Sequence, residues 1–279
     1  MLIDIVISTK DNIRTKSYSL FYVIRSLLHQ QQLGLNITIA DNGSTDDTSG
    51  MLRKTFGQKI GLIDTSAYSG NISASRNMAA ACGTAKHILF LDDDMILNGP
   101  ETLPKSLAIA STVDFACGAR RLWAPLNWPK LIRPDDPITK MLSTLRHTAY
   151  EPLSINRLSG KNILDNRSYL ANFGIISRDV FVKVGGFDQD YLGWGYQDTD
   201  LMYRLCVQEY EYAIFSNSGI EVFHLAHQVD KGPGYQDNRH RFLQKQRLEG
   251  RLFNTNHFFE IYENDGYSLF SEFPKERIS

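Results

Sequence analysis

Three sets of residues in this sequence have the types and spacing to do chemistry. Asp92, Asp93 and Asp94 follow directly on the apolar run His87 to Leu91. Three carboxylates therefore gather where a strand is expected to end. Oxygen ligands of this kind suit Mg²⁺ or Mn²⁺, and a divalent cation offsets negative charge on a leaving group without moving a proton. An acidic triplet also serves as a solvated strand end that resists edge pairing, and that reading stays open. The second set is Gly193-Trp194-Gly195-Tyr196-Gln197-Asp198-Thr199-Asp200-Leu201, just after Gly185-Gly186-Phe187-Asp188. The glycines let the backbone bend close to a ligand, and the Trp194 indole offers a flat apolar face. Asp198 falls at a helix start, where it could take a proton from a hydroxyl or, with Asp200, simply complement the helix dipole. The third set is His224 and His227, three apart after an apolar run. Imidazole suits Mn²⁺ better than Mg²⁺, so the pair could complete a metal shell begun by Asp94. A lone histidine is more often an ordinary hydrogen-bonded residue, and no His-Glu-x-x-His pattern points to a zinc hydrolase.

These groups need a scaffold, and the first half of the chain supplies one by alternating short apolar runs with longer amphipathic segments. Ile3–Ser8, Asn36–Ala40, Ile60–Asp64 and His87–Leu91 read as strands. Ser17–Gln31 reads as a helix with Leu20, Phe21, Ile24, Leu27 and Leu28 on one face, and Ser73–Cys82 as a helix ended by Gly83. That order is expected of an α/β fold with helices packed on a parallel sheet, which places ligands beyond the carboxyl ends of its strands. The pattern loosens between Arg120 and Arg167, apart from a helix expected near Ile138–His147. Ala171–Ile176 then reads as a strand, Arg178–Val184 and Asp198–Gln208 as helices, and Ala213–Phe215 and Ile220–Phe223 as strands. Asn238–Gly250 is expected as a basic amphipathic helix. The division that follows is 1–117 for a ligand-binding half, 118–170 for an insertion beside the site, 171–230 for the other half of the same domain, and 231–279 for a helical tail.

With 30 basic and 31 acidic residues the formal charge is -1, so no long-range positive field argues for nucleic acid as a partner. Cys82, Cys117 and Cys206 are too few for a disulfide framework, which suits a reducing compartment. Met1–Ser8 lacks the basic start and long apolar stretch of a signal peptide, and no run reaches transmembrane length. A cytoplasmic location is expected on those grounds. Arg120, Arg121, Trp123, Trp128, Lys130 and Arg133 form a basic and aromatic set that could line a binding site or touch anionic lipid at the inner membrane surface. It reads equally as a solvated loop with its aromatic residues packed beneath.

Taken in order, these motifs resemble the GT-A glycosyltransferases of the family 2 type. Asp41-Asn42-Gly43-Ser44-Thr45-Asp46-Asp47 is similar to the family's nucleotide-binding turn, and Ser8-Thr9-Lys10-Asp11 stands where its first strand meets the base. The resemblance implies that Asp41 accepts from a uracil ring, that Thr9 contacts the nucleoside with Asp11 beside it, and that Arg76 of Ser75-Arg76-Asn77 reaches the nucleotide. Phe90-Leu91-Asp92-Asp93-Asp94 resembles the Asp-x-Asp metal motif, with Asp94 the direct ligand and Asp92 and Asp93 beside the donor. The segment Gly193–Asp200 is similar to the Gly-Trp-Gly-Gly-Glu-Asp-Asp-Asp pattern of β-1,4-galactosyltransferases, departing from it at Tyr196, Gln197 and Thr199. That likeness implies Asp198 as the base and Trp194 with Gly195 as acceptor contacts. The same relatives hold their metal through two further residues three apart, the spacing of His224 and His227.

The resemblance implies an open mixed sheet of mainly parallel strands flanked by helices. It implies an inverting, Mn²⁺- or Mg²⁺-dependent transfer of a sugar from a nucleoside-diphosphate donor, with UDP favoured, to a glycan or lipid-linked acceptor. A retaining transferase and an inactive carbohydrate-binding relative are the alternatives. A nucleotidyltransferase is disfavoured because Ser8–Lys16 has no glycine for a phosphate loop.

Overall fold

A run such as Ile3, Ile5, Val6 and Ile7, interrupted only by Asp4, carries apolar side chains on both faces, so such a strand must be covered on both sides. The computed structural model, which describes residues 2–30, 33–150, 170–227 and 234–248, places it at the centre of a sheet. In chain order the strands are β1 (Leu2–Thr9), β2 (Gly34–Asp41), β3 (Gly61–Asp64), β4 (His87–Leu91), β5 (Met95–Leu97), β6 (Phe115–Cys117), β7 (Arg120–Ala124), β8 (Gly174–Ser177), β9 (Tyr212–Ile214) and β10 (Glu221–Leu225). The helices are α1 (Asn12–Lys16), α2 (Ser19–Leu28), α3 (Thr48–Phe56), α4 (Ile72–Ala81), α5 (Thr102–Ala110), α6 (Ile138–Thr148), α7 (Leu170–Phe173), α8 (Arg178–Lys183), α9 (Gln197–Val207) and α10 (Gly234–Leu248).

The large sheet runs β3-β2-β1-β4-β8-β6-β9, and only β8 opposes the other strands, being antiparallel to both β4 and β6. The arrangement is the GT-A fold, an α/β sheet of mainly parallel strands with helices against its faces. On one face α2 buries Leu20, Val23, Ile24 and Leu27, one helical stripe. On the other, Ala79 and Ala80 let α4 lie close to β1 and β2. Asn71 caps α4 by accepting from the Ala74 N–H at 2.9 Å. Asp4, buried inside β1, accepts from Asn36 at 2.7 Å, from the Ala85 N–H at 2.7 Å and from Arg178. Those partners offset the cost of burying its charge.

A small second sheet, β5-β10-β7, was not legible in the hydropathy pattern. Its strands come from far apart in the chain: β10 pairs antiparallel with β5 and parallel with β7. The first residues of the loosely patterned stretch thus form a strand, and Trp128 is buried with its indole N–H donated to the Ala226 carbonyl at 2.9 Å. Two further elements differ from the sequence reading. The helix expected over Ser17–Gln31 runs only over α2, because Ser17 and Tyr18, both at positive φ, separate it from α1, a short helix the sequence reading did not expect. The strand expected from Ala171 begins only at Gly174, after the helical turn α7. There a Cβ on Gly174 would lie 2.5 Å from the Leu170 carbonyl oxygen, so the tight turn into β8 needs glycine. Of the proposed divisions, 151–169 of the insertion and 228–233 and 249–279 at the other end lie outside the described residues. Among the described residues, no helix is long and apolar enough to cross a membrane.

Candidate active site

The acidic end of β4 and the histidine pair meet because of register. In the second sheet His224 lies opposite Met95 on β5 and opposite Trp123 on β7, and the Leu225 N–H donates to the Asp94 carbonyl at 2.9 Å. This sets His224 Nε2 at 3.6 Å and His227 Nε2 at 2.9 Å from the two oxygens of the Asp94 carboxylate. The Trp123 ring meets His224 edge-on at 4.1 Å. One ligand atom from each of Asp94, His224 and His227 lies within 4.8 Å of the others. Asp94 is buried, yet among the described residues its Oδ1 accepts no hydrogen bond, and His224 Nδ1 is buried with no partner among them. An acceptor left unsatisfied in a polar cluster costs free energy that a bound ion would remove. One carboxylate and two imidazoles make a donor set that suits Mn²⁺, so these residues fit the ion expected here.

Behind this trio, Asp93 is held from several sides. Its carboxylate accepts from Thr9 Oγ1 at 2.6 Å, from Asn12 Nδ2 at 2.9 Å and from Lys16 Nζ at 2.6 Å, while Ser19 Oγ donates to its backbone carbonyl at 2.6 Å. Lys16 Nζ also reaches Asp94 Oδ2 at 2.7 Å. Burial disfavours the charge on Asp94, but Lys16 and the histidines outweigh it and hold that carboxyl well below the usual carboxylate range. For Lys16, too, burial is outweighed: Asp93 and Asp94 carry its ammonium above the usual lysine range.

Arg76 joins the two halves of the cleft. Its guanidinium donates to Asp92 Oδ1 at 2.9 Å and to Asp198 Oδ2 at 3.2 Å, over the ring of Phe187 at 5.2 Å. The other Asp198 oxygen accepts from the Ala171 N–H at 2.9 Å, which is the use of the turn α7. Oriented by its neighbours, the Asn172 amide donates to Asp92 Oδ2 at 2.6 Å and accepts from Arg121 at 3.0 Å. Burial pushes the Asp92 carboxyl up to about 7, Arg76 opposing the rise and Asp94 and Asp198 adding to it. Asp198, Arg76, Asp92 and Asp94 thus line one continuous polar wall.

The residues expected around a nucleotide lie together at the carboxyl ends of β1 and β2, already bonded to one another. Asp41 accepts from the Ser44 N–H at 2.8 Å and from the Ser49 hydroxyl. Asp11, at φ 49°, accepts from the Thr45 N–H at 2.6 Å and the Asp46 N–H at 3.2 Å and pairs with Arg14. Burial opposes the Asp11 charge, but these backbone donors and Arg14 hold its carboxyl below the usual range. Thr9 points its hydroxyl at Asp93 rather than outward.

The glycine and tryptophan loop closes the opposite side. The Gly193 N–H donates to the Gly70 carbonyl at 2.6 Å, and Asn71 Nδ2 donates to the Gln189 carbonyl at 2.8 Å, so the loop rests on the start of α4. Helix α10 clamps it from outside. Asn238 donates to the Leu192 carbonyl at 2.7 Å and the Gly195 carbonyl at 3.0 Å, and Tyr235 stacks on Trp194 with ring centroids 5.6 Å apart. A Cβ on Gly195 would lie 2.6 Å from the Tyr235 ring, at a φ of +105°, so only glycine fits. Lys245 reaches Asp200 at 2.7 Å and Asp188 at 3.1 Å. Trp194 keeps 48% of its surface exposed. Lys16, Asn12, Tyr235 and Asn238 were not singled out by sequence. Lone residues in a short connection or on a polar helix carry no periodic signal, whereas the β-prone Leu122-Trp123 did offer a hint of β7.

Comparison with known proteins agrees with this architecture. Glycosyl transferase family 2 matches residues 5–171, and the N-terminal domain of galactosyltransferase matches residues 161–228. The chain belongs to glycosyl transferase family 2. Validoxylamine A glucosyltransferase from Streptomyces hygroscopicus subsp. jinggangensis is 25% identical over 185 residues, which is 61% of this chain and 43% of that protein. Its counterpart from S. hygroscopicus subsp. limoneus is matched over 40% of its length, so the chain spans less than half of these relatives. Among solved structures, S. aureus TarS 1-349 superposes with a TM-score of 0.61 at 14% identity, covering 89% of this chain and 65% of that one. The same fragment has been solved with UDP-GlcNAc (TM-score 0.57, 14% identity, 94% of this chain and 64% of that one). The mannosyltransferase PcManGT from Pyrobaculum calidifontis, solved with GDP-Man and Mn²⁺, gives 0.56 at 14% identity, with 90% and 65% covered.

Proposed function

We propose that this chain is an inverting transferase that moves a sugar from a nucleoside-diphosphate donor, UDP first among the bases to test, to a hydroxyl of a glycan or lipid-linked acceptor. The observation that carries the reading is the Arg76 bridge, which ties the Asp198 carboxylate to the same wall as Asp94, His224 and His227. Asp94, His224 and His227 would hold Mn²⁺ or Mg²⁺, which when bound neutralises charge on a departing diphosphate. The nucleotide sugars bound by neighbours of similar fold, UDP-GlcNAc in one and GDP-Man in the other, are compatible with a donor at the ends of β1 and β2.

Asp198 is the base in this reading. Its Oδ1 is oriented by the Ala171 N–H and its Oδ2 by Arg76, and the carboxylate keeps 20% of its surface open. The acceptor hydroxyl would give its proton to Asp198 as its oxygen bonds to the anomeric carbon. The bond from that carbon to the diphosphate oxygen breaks with its electron pair going to the diphosphate. Attack from the side opposite the leaving group inverts the centre. Trp194, exposed and braced by Tyr235, offers the acceptor sugar a stacking face. Work in the cytoplasm, at the inner membrane surface when the acceptor is lipid-linked, belongs to the same reading. The test is Asp198→Asn, with donor binding measured by calorimetry and turnover by nucleoside-diphosphate release. Donor affinity should stay within about threefold while kcat falls by a factor of about 10² to 10⁴. Turnover near that of the unaltered chain would remove Asp198 from the base role.

A further inference from the structure

We propose that Lys16 is the intrinsic cation of the metal site: its ammonium neutralises Asp93 and Asp94 before a divalent ion arrives and competes with that ion for Asp94. The proposal rests on the reading of Asp94 as a ligand. Lys16 Nζ lies 2.6 Å from Asp93 Oδ1 and 2.7 Å from Asp94 Oδ2, while His227 Nε2 lies 2.9 Å from that same Asp94 oxygen. A lysine at the edge of a site would reach one carboxylate and otherwise extend into water. This one keeps 22% of its side chain exposed and spans two.

The backbone is shaped to deliver it. Asp11 at φ 49° and Ser17 at φ 50° bracket α1, and Tyr18 follows at φ 66°, three non-glycine residues in a sparsely populated region. Such residues persist where the surroundings over-determine them, and here the surroundings are centred on Asp93. Asn12 donates to Asp93 at 2.9 Å and to Ser19 at 3.0 Å and accepts from the Leu20 N–H at 3.1 Å, and Ser19 donates to the Asp93 carbonyl at 2.6 Å. The turn therefore wraps the carboxylate and aims Lys16 at the gap between Asp93 and Asp94.

The two carboxylates differ in what remains without Lys16. Asp93 keeps its bonds from Thr9 and Asn12, whereas among the described residues Asp94 keeps only the histidines, with Oδ1 unbonded. Asp94 is thus the group for which ammonium and ion are rivals. A unit charge about 4 Å from a divalent ion weakens its binding by roughly 30-fold even at the dielectric of water, so an effect of at least tenfold is expected.

The experiment compares the full chain, stripped by chelator, with its Lys16→Met, Lys16→Arg and Asp94→Ala variants. Mn²⁺ affinity is read from the electron paramagnetic resonance of free Mn²⁺, and melting temperature is recorded with and without the ion. Lys16→Met should bind Mn²⁺ roughly tenfold or more tightly. It should also melt lower than the unaltered chain without metal and gain more from Mn²⁺, since an ion that binds only the native state stabilises it. Lys16→Arg, which keeps the charge, should stay within about threefold of the original affinity. Lys16→Met affinity that is unchanged or weaker, while Asp94→Ala abolishes binding, overturns the competition and leaves the metal site standing. Binding that survives Asp94→Ala removes both.

Discussion

Replacing Arg76 by methionine tests the bridge that unites the two halves of the cleft. The guanidinium has 8% of its side chain exposed, and its partners Asp92 and Asp198 have 29% and 20%. Breaking a fully buried pair by removing one partner costs about 3–5 kcal/mol, because the other charge is left uncompensated. Here the orphaned carboxylates are partly wet, so the cost falls below that range, at about 2–3 kcal/mol. For a chain of this size that corresponds to a fall of roughly 3–5 °C in melting temperature. The assay is thermal and urea unfolding of the metal-free protein at fixed ionic strength. Arg76→Lys, which can reach only one carboxylate at a time, should fall between the two. The sign of a second substitution is the stronger test. Asp198→Asn should destabilise the unaltered chain, where it breaks a pair, yet raise the melting temperature of Arg76→Met, where it removes an orphaned charge. Arg76→Met melting within about 1 °C of the original, or Asp198→Asn lowering both, would refute the bridge.

Two further outcomes follow from particular contacts. Asn238→Ala removes two bonds to the backbone of the glycine and tryptophan loop, a loss of about 1–3 kcal/mol that falls mainly on that loop. Amide hydrogen exchange should quicken over residues 189–196, and acceptor KM should rise while donor affinity holds; unchanged exchange would show that α10 is no clamp. His87 is buried in β4, and burial, with Lys86 adding to it, holds its imidazole below the usual 6.5. A depressed folded value means that the unfolded chain binds the proton more readily. The contribution is present above 6.5 and is lost as pH falls from there through the lowered folded value. His87→Leu should lose less stability than the original chain on going from pH 7.5 to 5.5, measured by urea unfolding, and equal losses would contradict the assignment.

Much of the first half was legible because its signals are local. Ile3, Ile5 and Ile7 report a covered strand wherever the partners come from, and Leu20, Ile24 and Leu27 report a helix by spacing alone. What escaped depends on distant parts of the chain. Nothing in Met95-Ile96-Leu97 announces pairing with residues 222–224, yet that pairing brings His224 to Asp94. The reversed direction of β8 is set by tertiary packing, which no hydropathy pattern records. The break at Ser17 and Tyr18 was hidden because neither is glycine or proline, and the bonds that hold it come from Asn12 and Asp93. In the site, the acidic triplet, the tryptophan loop and the histidine pair could be picked out by type. Their mutual contacts, through Arg76 and β10, could not.

The stereochemistry of the product bears most directly on the central claim, that Asp198 and the Asp94, His224 and His227 trio serve one displacement across one cleft. A nucleotide-sugar and acceptor pair found by screening for UDP release with Mn²⁺ would be followed by proton NMR from the first turnovers, reading the coupling of the anomeric proton. The account predicts a glycoside of the anomeric configuration opposite to that of the donor. A product that keeps the donor's configuration would contradict it.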